Sequence, residues 1–184
     1  MPANPPSDLT FNEVGLILRL SEGRVNRYRP DEKPAHAYER HVGVTGVDLW
    51  ARIRTDARNG QIALFTAFLT WKDQIEAAQE TLNSAEGKWA RDQMFQGAPS
   101  AKFPKGSHQG MEASILHTGR TRYVRYAGPG KTLPLCDYKM IVQRDDSCPS
   151  SLLIKTFYAT ALATPPLNKV RIVGRNDREF ATGP

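Results

Sequence analysis

Cysteine is scarce in this chain, and long apolar runs are missing from it. The 184 residues include two cysteines, Cys136 and Cys148, which either pair across a turn or both stay reduced. Two cysteines cannot form the disulfide framework of a small secreted scaffold. No C-x-x-C pair and no His/Cys cluster stands at metal-ligand spacing, so a zinc site is not expected. The longest apolar run, residues 14–20, is broken by Arg19 and falls short of the roughly 20 residues that a membrane span needs.

A secretory signal is also missing from the start of the sequence. The first residues, MPANPPSDL, contain no basic region followed by an apolar stretch, so a classical signal peptide is not expected. The apolar content of 40% and the charged content of 24% are ordinary for a globular protein. The length suits one sizeable hydrophobic core better than two large domains.

Acidic residues are outnumbered, which leaves a net charge of +6 and a pI of about 9.5. A basic surplus favours RNA, DNA or anionic membrane as partners, although it can also serve solubility alone. Its distribution favours a basic face, because residues 117–144 contain six cations and a single acid, Asp137. The six are Arg120, Arg122, Arg125, Lys131, Lys139 and Arg144.

Hydrophobic periodicity predicts helices first and antiparallel strands afterwards, which is typical of an α+β fold. Thr45 and Asp48 stand at capping-box spacing and predict a helix over residues 45–56. An apolar stripe at helical intervals predicts helix over 70–96, where Gly87 allows a break. Residues 11–20 fit either a helix or a strand, and the polar stretch 21–37 predicts a linker. Strands are predicted over residues 61–65, 121–127, 137–144, 151–159 and 168–174, and a long loop or insertion over 97–119.

His41 is the strongest candidate for chemistry among the four histidines. It stands between the charged pair Glu39-Arg40 and a run of small and β-branched residues, just before the predicted helix. His36 and His108 lie in polar, loop-like surroundings and are predicted to be solvated, whereas His117 borders the basic segment. Taken alone, a histidine at this position is more often structural than catalytic.

Three further candidates lie on predicted elements of regular structure. Arg52 falls on the predicted helix, which can carry its guanidinium back towards the histidine. Thr156 and Tyr158 stand two residues apart in a predicted strand, so strict alternation places them on one face with Leu152 and Ile154. A hydroxyl and a phenol side by side can grip a phosphate, but such a pair is also ordinary sheet packing.

Separate motifs in the chain follow one another in a distinctive order. They are ERHVG at 39–43 with LWARI at 49–53, Phe65-Thr66 with Ile75 and Trp89 at later offsets, and TFYA at 156–159. In this order and spacing they resemble the bacterial RNase A-like toxin domain, which is found at the C-termini of contact-dependent growth inhibition proteins and other polymorphic toxins. The resemblance covers about residues 35–161. It departs from the family at Ala67, where an aspartate is common, and at Ala159, where a proline is usual.

The resemblance implies an RNase A-like α+β fold, with N-terminal helices packed on a curved antiparallel β-sheet and no disulfide framework. It places the toxin domain at 35–162, between an N-terminal extension and linker, 1–34, and a C-terminal extension, 163–184. It implies a monomeric endoribonuclease that uses no cofactor and acts in the cytoplasm of a target bacterial cell on RNA, with tRNA among the candidates. A cognate immunity protein, expected to be acidic, would neutralise it. The implied catalytic set is His41, Arg52, Thr156 and Tyr158.

RNA carries its own nucleophile, the ribose 2′-hydroxyl, so such an enzyme needs a base, a phosphate clamp and an acid. His41 suits the base, and Arg52 with Thr156 suits the clamp. Either Tyr158 or His117 supplies the acid.

Two alternatives remain open. In a non-catalytic RNA-binding module, Tyr123, Tyr126 and Tyr138 of the basic strands would stack on bases. In an interaction domain, the apolar stripe over 71–89 would dock a partner helix.

Overall fold

The computed structural model describes residues 7–57, 65–96, 108–120, 123–127, 135–160, 169–174 and 179–183. Within these ranges the chain forms four α-helices and seven β-strands, which confirms the predicted α+β class. The helices are α1 (Phe11–Ser21), α2 (Gly46–Ala57), α3 (Trp71–Asn83) and α4 (Ala85–Gln96). The strands are β1 (Phe65–Phe68), β2 (Glu112–Arg120), β3 (Val124–Ala127), β4 (Leu135–Arg144), β5 (Leu152–Thr160), β6 (Val170–Val173) and β7 (Glu179–Gly183). Residues 61–64, predicted to begin a strand, lie outside the described residues.

Five strands form the main antiparallel sheet, in the order β5-β4-β2-β6-β7, and β1 pairs with β3 in a second sheet of two strands. β4 lies between β2 and β5 along most of its length. Lys139 of β4 lies opposite Tyr158 of β5 on one side and opposite Leu116 of β2 on the other. Because directly opposed residues point to the same face, this register determines which side chains are neighbours.

Threonine caps define where three of the helices begin. Thr10, Thr45 and Thr70 each accept a hydrogen bond at Oγ1 from the backbone N–H three residues later. At Thr45 the predicted capping box is present, because Asp48 accepts from both the hydroxyl (2.6 Å) and the backbone N–H (3.3 Å) of the threonine.

The apolar stripe predicted over 70–96 divides between α3 and α4, which meet at Ser84, three residues before the glycine predicted to allow the break. Ala78 and Leu82 in its centre are fully buried. Trp71 at its start is 40% exposed and stacks on Tyr38, with ring centroids 3.9 Å apart. Because its centre is buried, the stripe is not a free surface for a partner helix, and the interaction-domain hypothesis is wrong on this point.

The main hydrophobic core lies between helices α1, α3 and α4 and one face of the five-stranded sheet. Ile17 and Leu18 of α1 are fully buried in it, and so is Ile172 of β6. The described residues of the predicted extensions, 7–34, 169–174 and 179–183, therefore supply a helix and two strands to the same folded unit.

The central strand β2 begins within the stretch 97–119, for which composition predicts a loop. That prediction is wrong for residues 112–119, which belong to the strand, while the first part of the stretch, up to residue 107, lies outside the described residues. The inward positions of β2 hold a single large aliphatic side chain, so the period of two is hidden in the sequence. These positions are Ala113, Ile115, His117 and Gly119.

The structure also bears on the expected lack of a membrane span and on the state of the two cysteines. Among the described residues, no helix combines the length and the apolar character that crossing a membrane requires. Cys136 and Cys148 are buried and unpaired, so both are thiols in this structure. Burial raises the pKa of the Cys136 thiol to about 11, and the adjacent carboxylate of Asp137 adds to the effect.

Gly119 provides a test of the packing between β2 and β4. A Cβ atom there would lie 2.1 Å from a ring carbon of Tyr138, which is fully buried. Gly119→Ala is therefore expected to lower the free energy of unfolding, measured by urea denaturation, by about 1–3 kcal/mol. Gly46→Ala is the control, because nothing lies within 4 Å of a Cβ at the first residue of α2 and alanine favours helix. Equal stability of the two variants would contradict this packing.

Candidate active site

The backbone of His41 is bonded to strand β1. The N–H of Phe68 donates to the carbonyl of His41 (2.7 Å), and the N–H of Gly43 donates to the carbonyl of Phe68 (3.1 Å). Val42 and Phe68 thereby form an isolated parallel bridge. Gly43 has a φ of +66°, a left-handed conformation that glycine adopts without strain. Glycine therefore suits the last position of the ERHVG motif, because the chain turns there between the histidine and the start of α2.

Two further hydrogen bonds hold the segment that precedes His41. The N–H of His36 donates to the carbonyl of Lys155 in β5 (3.0 Å). The side-chain amide of Gln74 in α3 donates to the carbonyl of Ala37 (2.6 Å). The position of His41 is thus determined by β1, β5 and α3 together, although no regular element contains it.

Strand β5 contains one more residue than the part of β4 that it pairs with. Ile154 lies opposite Val142 and Thr156 lies opposite Ile141, so Lys155 has no counterpart on β4 and forms a β-bulge. The ammonium of Lys155 makes an ion pair with the carboxylate of Glu32, outside the core.

The bulge decides which side chains of β5 face the core. Ile154 and Phe157 both pack in the main core, although three positions separate them. Thr156 and Tyr158 consequently share the opposite face of the sheet. The prediction that they lie on one face with Leu152 and Ile154 is wrong, because strict alternation does not allow for the extra residue.

The structure brings Tyr158 of β5 next to His41. Their ring centroids lie 5.5 Å apart, with an angle of 30° between the ring planes. Thr156, one position of the same face away, is buried, with 7% of its surface exposed. The ring of His36 is also close to His41, with ring centroids 6.0 Å apart. Two histidines and a phenol therefore meet at the edge of the main sheet, and Thr156 lies on the same face as the phenol.

Helix α2 carries Arg52 towards this group. Leu49 is fully buried against Ala67 of β1, and Arg52 follows three residues later on the same side of the helix. Ala67 is the position where the toxin family commonly has aspartate, and here it is buried with 1% exposure. A small apolar residue suits this position, because the side chain of Leu49 packs on it.

The electrostatics of the group keep His41 uncharged. Burial is the main cause that lowers the pKa of His41 to about 4, and electrostatic interactions with the nearby His36, Arg40 and Arg52 contribute to the same shift. The imidazole is therefore neutral at pH 7. Its Nε2 atom is buried and has no hydrogen-bond partner among the described residues.

His117 lies away from this group, on the core side of the sheet. It is opposite Tyr138, which points into the core, whereas Tyr158 points to the other face. Its ring nitrogens lie 3.3 Å from the carboxylate of Glu80 and 3.4 Å from that of Glu86. The sequence leaves His117 open as the acid of the reaction, and the structure does not bring it to His41.

Two histidines predicted to be solvated are less exposed than expected. His36 is half-buried beside His41, and His108 is buried. The sequence offers no periodic signal for the first contact, because the five-residue step from His36 to His41 follows no helix or strand.

Two of the three tyrosines proposed to stack on bases are buried and not available for that role. Tyr138 is fully buried and Tyr123 is 7% exposed, while the side chain of Tyr126 lies outside the described residues. The RNA-binding alternative therefore loses two of its three stacking residues. In the part of the chain that the structure describes, no three His, Cys, Asp or Glu side chains are grouped so that they could hold a metal ion.

Neither a protein-family model, nor a curated protein, nor a solved structure matches this chain. The resemblance to RNase A-like toxin domains rests on the three motifs, and the chemistry of the site rests on its own geometry.

The low pKa of His41 makes a contribution to stability that depends on pH. An unfolded histidine titrates near pH 6.5, so between about pH 4 and 6.5 the unfolded chain binds more protons at this residue than the folded one. The free energy of unfolding is therefore expected to fall as the pH falls through this window, by about 2 kcal/mol at pH 5. Urea denaturation of the parent and His41→Gln at pH 7.5 and pH 5 measures it. The parent should lose more stability than the variant, and equal losses would refute the assignment.

Proposed function

We propose that this protein is a ribonuclease toxin of the RNase A-like kind, which cleaves RNA through the 2′-hydroxyl of the substrate and needs no metal ion for that reaction. The observation that supports this best is the approach of His41 to Tyr158, with ring centroids 5.5 Å apart although the two residues come from opposite halves of the chain. Thr156 shares the face of Tyr158, and the charge of Arg52 acts on His41.

His41 is the general base in this proposal. Its imidazole is neutral at pH 7 and can accept the proton of the 2′-hydroxyl. The 2′-oxygen then forms a bond to phosphorus while the bond from phosphorus to the 5′-oxygen breaks, which leaves a 2′,3′-cyclic phosphate on one product.

Arg52 and Thr156 stabilise the charge that builds up on the phosphate. A guanidinium stays ionised throughout, and its planar fork matches two phosphate oxygens. The hydroxyl of Thr156 adds a neutral donor from the sheet. A bound phosphate also offsets the positive charges around His41, so the pKa of His41 rises towards neutrality when substrate is present.

Tyr158 donates the proton that the leaving 5′-oxygen needs. Its phenol is a hydroxyl donor, and its ring lies beside the base. The other acid considered from the sequence, His117, lies on the opposite face of the sheet, between two carboxylates.

The biological part of the proposal comes from the resemblance. It describes a monomeric toxin that acts in the cytoplasm of a target bacterial cell on RNA such as tRNA, and that a cognate acidic immunity protein neutralises. The net charge of +6 supports both partners, since an RNA and an acidic protein are each attracted to a basic one.

The central test is an RNA cleavage assay with a fluorogenic oligonucleotide in EDTA. The protein is expected to leave 2′,3′-cyclic phosphate ends and to leave the DNA of the same sequence intact, because DNA lacks the nucleophile. His41→Ala should lower kcat/KM by about 10²–10⁴-fold, the typical contribution of a general base. His117→Gln is the matched control and should cut at the parent's rate.

Two outcomes of that assay would count against the proposal. If His41→Ala cuts as fast as the parent, His41 is not the base. If the parent binds RNA without cutting it, the non-catalytic RNA-binding module is the better description.

The pH dependence of the rate tests the electrostatics separately. The acid limb of kcat/KM reports the free enzyme and is expected near pH 4, whereas the limb of kcat reports the complex and should lie at higher pH. Arg52→Gln should move the limb of kcat/KM upwards, because it removes a charge that lowers the pKa of His41, and Arg52→Lys should move it less. A limb of kcat/KM at pH 6.5 in the parent would contradict the low pKa of His41.

A further inference from the structure

The face of the main sheet that carries Thr156 and Tyr158 is not the face that the helices cover. Helices α1, α3 and α4 pack on the other face, and α2 packs on the two-stranded sheet. We call this second surface the open face. On it Lys139 and Ser114 are partly exposed, whereas Asp137 and Gln143 are fully buried. At one end it meets the loop after α1, where Gln143 donates to Glu32 (2.8 Å) and Leu153 packs on Ala35. The remainder of the open face extends from Thr156 and Tyr158 across the neighbouring strands.

Two rows of residues cross the open face from the candidate site. In the first row Tyr158 lies opposite Lys139, which lies opposite Leu116. The second row runs from Thr156 across the three neighbouring strands, through Ile141 and Ser114 to Arg171. With strands about 4.8 Å apart, Lys139 is one spacing from Tyr158, and Arg171 is three spacings, roughly 14 Å, from Thr156.

The lysines in and near these rows differ in whether an acidic side chain neutralises them. Lys155 is held by Glu32, and the ammonium of Lys169 lies 3.6 Å from the carboxylate of Asp137. Lys139 is partly buried and makes no hydrogen bond or ion pair with any residue that the structure describes. A lysine next to a candidate phosphodiesterase site, with no counter-charge among the described residues, is suited to bind an anion of the substrate.

A shallow cavity lies at the far end of the second row. This cavity of about 170 Å³ is lined by Glu112, Ser114, Arg171 and Val173. Arg171 lies 3.2 Å from the carboxylate of Glu179, and both side chains are more than half exposed. An exposed pair of this kind contributes little to stability, so a phosphate can compete for the guanidinium.

We propose that the open face is a binding track for the RNA strand on one side of the scissile bond. Lys139 binds the phosphate next to the scissile one, and Arg171 binds a phosphate further along. This inference rests on the proposed function for the location of the scissile bond. It adds two residues that bind substrate and an orientation for the strand, from the sheet edge at β5 towards β6.

The experiment measures the binding of fluorescent RNA oligonucleotides to the His41→Ala protein, so that substrate is not consumed. Lys139→Gln is expected to weaken the binding of an octanucleotide about tenfold, the usual scale for a charged hydrogen bond. The slope of log affinity against log salt should fall by about 0.7, which corresponds to one lost phosphate contact on a single strand. Lys72→Gln is the control, because Lys72 is an exposed cation on α3, a helix of the opposite face.

Oligonucleotide length separates the two positions. Arg171→Gln should weaken the octanucleotide more than a trinucleotide, because a short strand does not reach the far end of the track. Lys139→Gln should weaken both.

The outcomes separate this inference from the proposed function. If the parent cuts RNA but Lys139→Gln and Arg171→Gln bind octanucleotide like Lys72→Gln, the track is wrong and the ribonuclease proposal stands. If the parent cuts no RNA but Lys139→Gln lowers affinity and salt slope as expected, the track is upheld and the catalytic proposal fails.

Discussion

The extra residue in β5 is the constraint on which both the core and the candidate site depend. Phe157 stacks on Phe68 at 4.9 Å and belongs inside, together with Ile154. Strict alternation cannot place both inside, because residues three apart in a regular strand face opposite ways. The bulge at Lys155 resolves the conflict and turns Thr156 and Tyr158 outwards. The ion pair of Lys155 with Glu32, and the bond from His36 to the Lys155 carbonyl, hold the bulge from outside the sheet.

The sequence predicts local structure well and the arrangement of faces less well. The start of α2 follows from Thr45 and Asp48, and the strand β4 follows from alternation. The bulge in β5 does not follow, because strict alternation does not allow for one inserted residue, which reverses the face of everything after it. β2 is hidden because its inward positions are mostly small or polar.

At the candidate site too, residues within one segment could be predicted from the sequence, and contacts between distant segments could not. His41, Arg52, Thr156 and Tyr158 come from motifs, each within one short segment. His36 is brought to the site by the hydrogen bond of its backbone to β5. Lys139 is brought there by the register of β4 against β5. A pairing between distant segments has no signature within either segment, so residues of this kind are found from the three-dimensional structure alone.

The charges around His41 serve two states of the proposed reaction. In the free protein, His36, Arg40 and Arg52 disfavour a proton on the buried imidazole, so the base is ready to accept one. The guanidinium groups of Arg40 and Arg52 attract a phosphate, and once bound it compensates their charge and allows the imidazolium to form. Substrate binding thereby supplies the counter-charge that proton transfer requires, and no acidic side chain beside His41 is needed for it.

The hydrogen bonds that position the site also cover the outer edge of β5. The N–H of Ile154 donates to the hydroxyl of Ser21, the carbonyl of Lys155 accepts from the backbone of His36, and the hydroxyl of Thr66 donates to the carbonyl of Ala159. At the other end of the sheet β7 is short, and its pairing with β6 is irregular. Unpaired strand edges are where β-proteins join into fibrils and exchange strands with other copies. Among the described strands, both edges of the main sheet therefore have features that oppose the addition of a further strand.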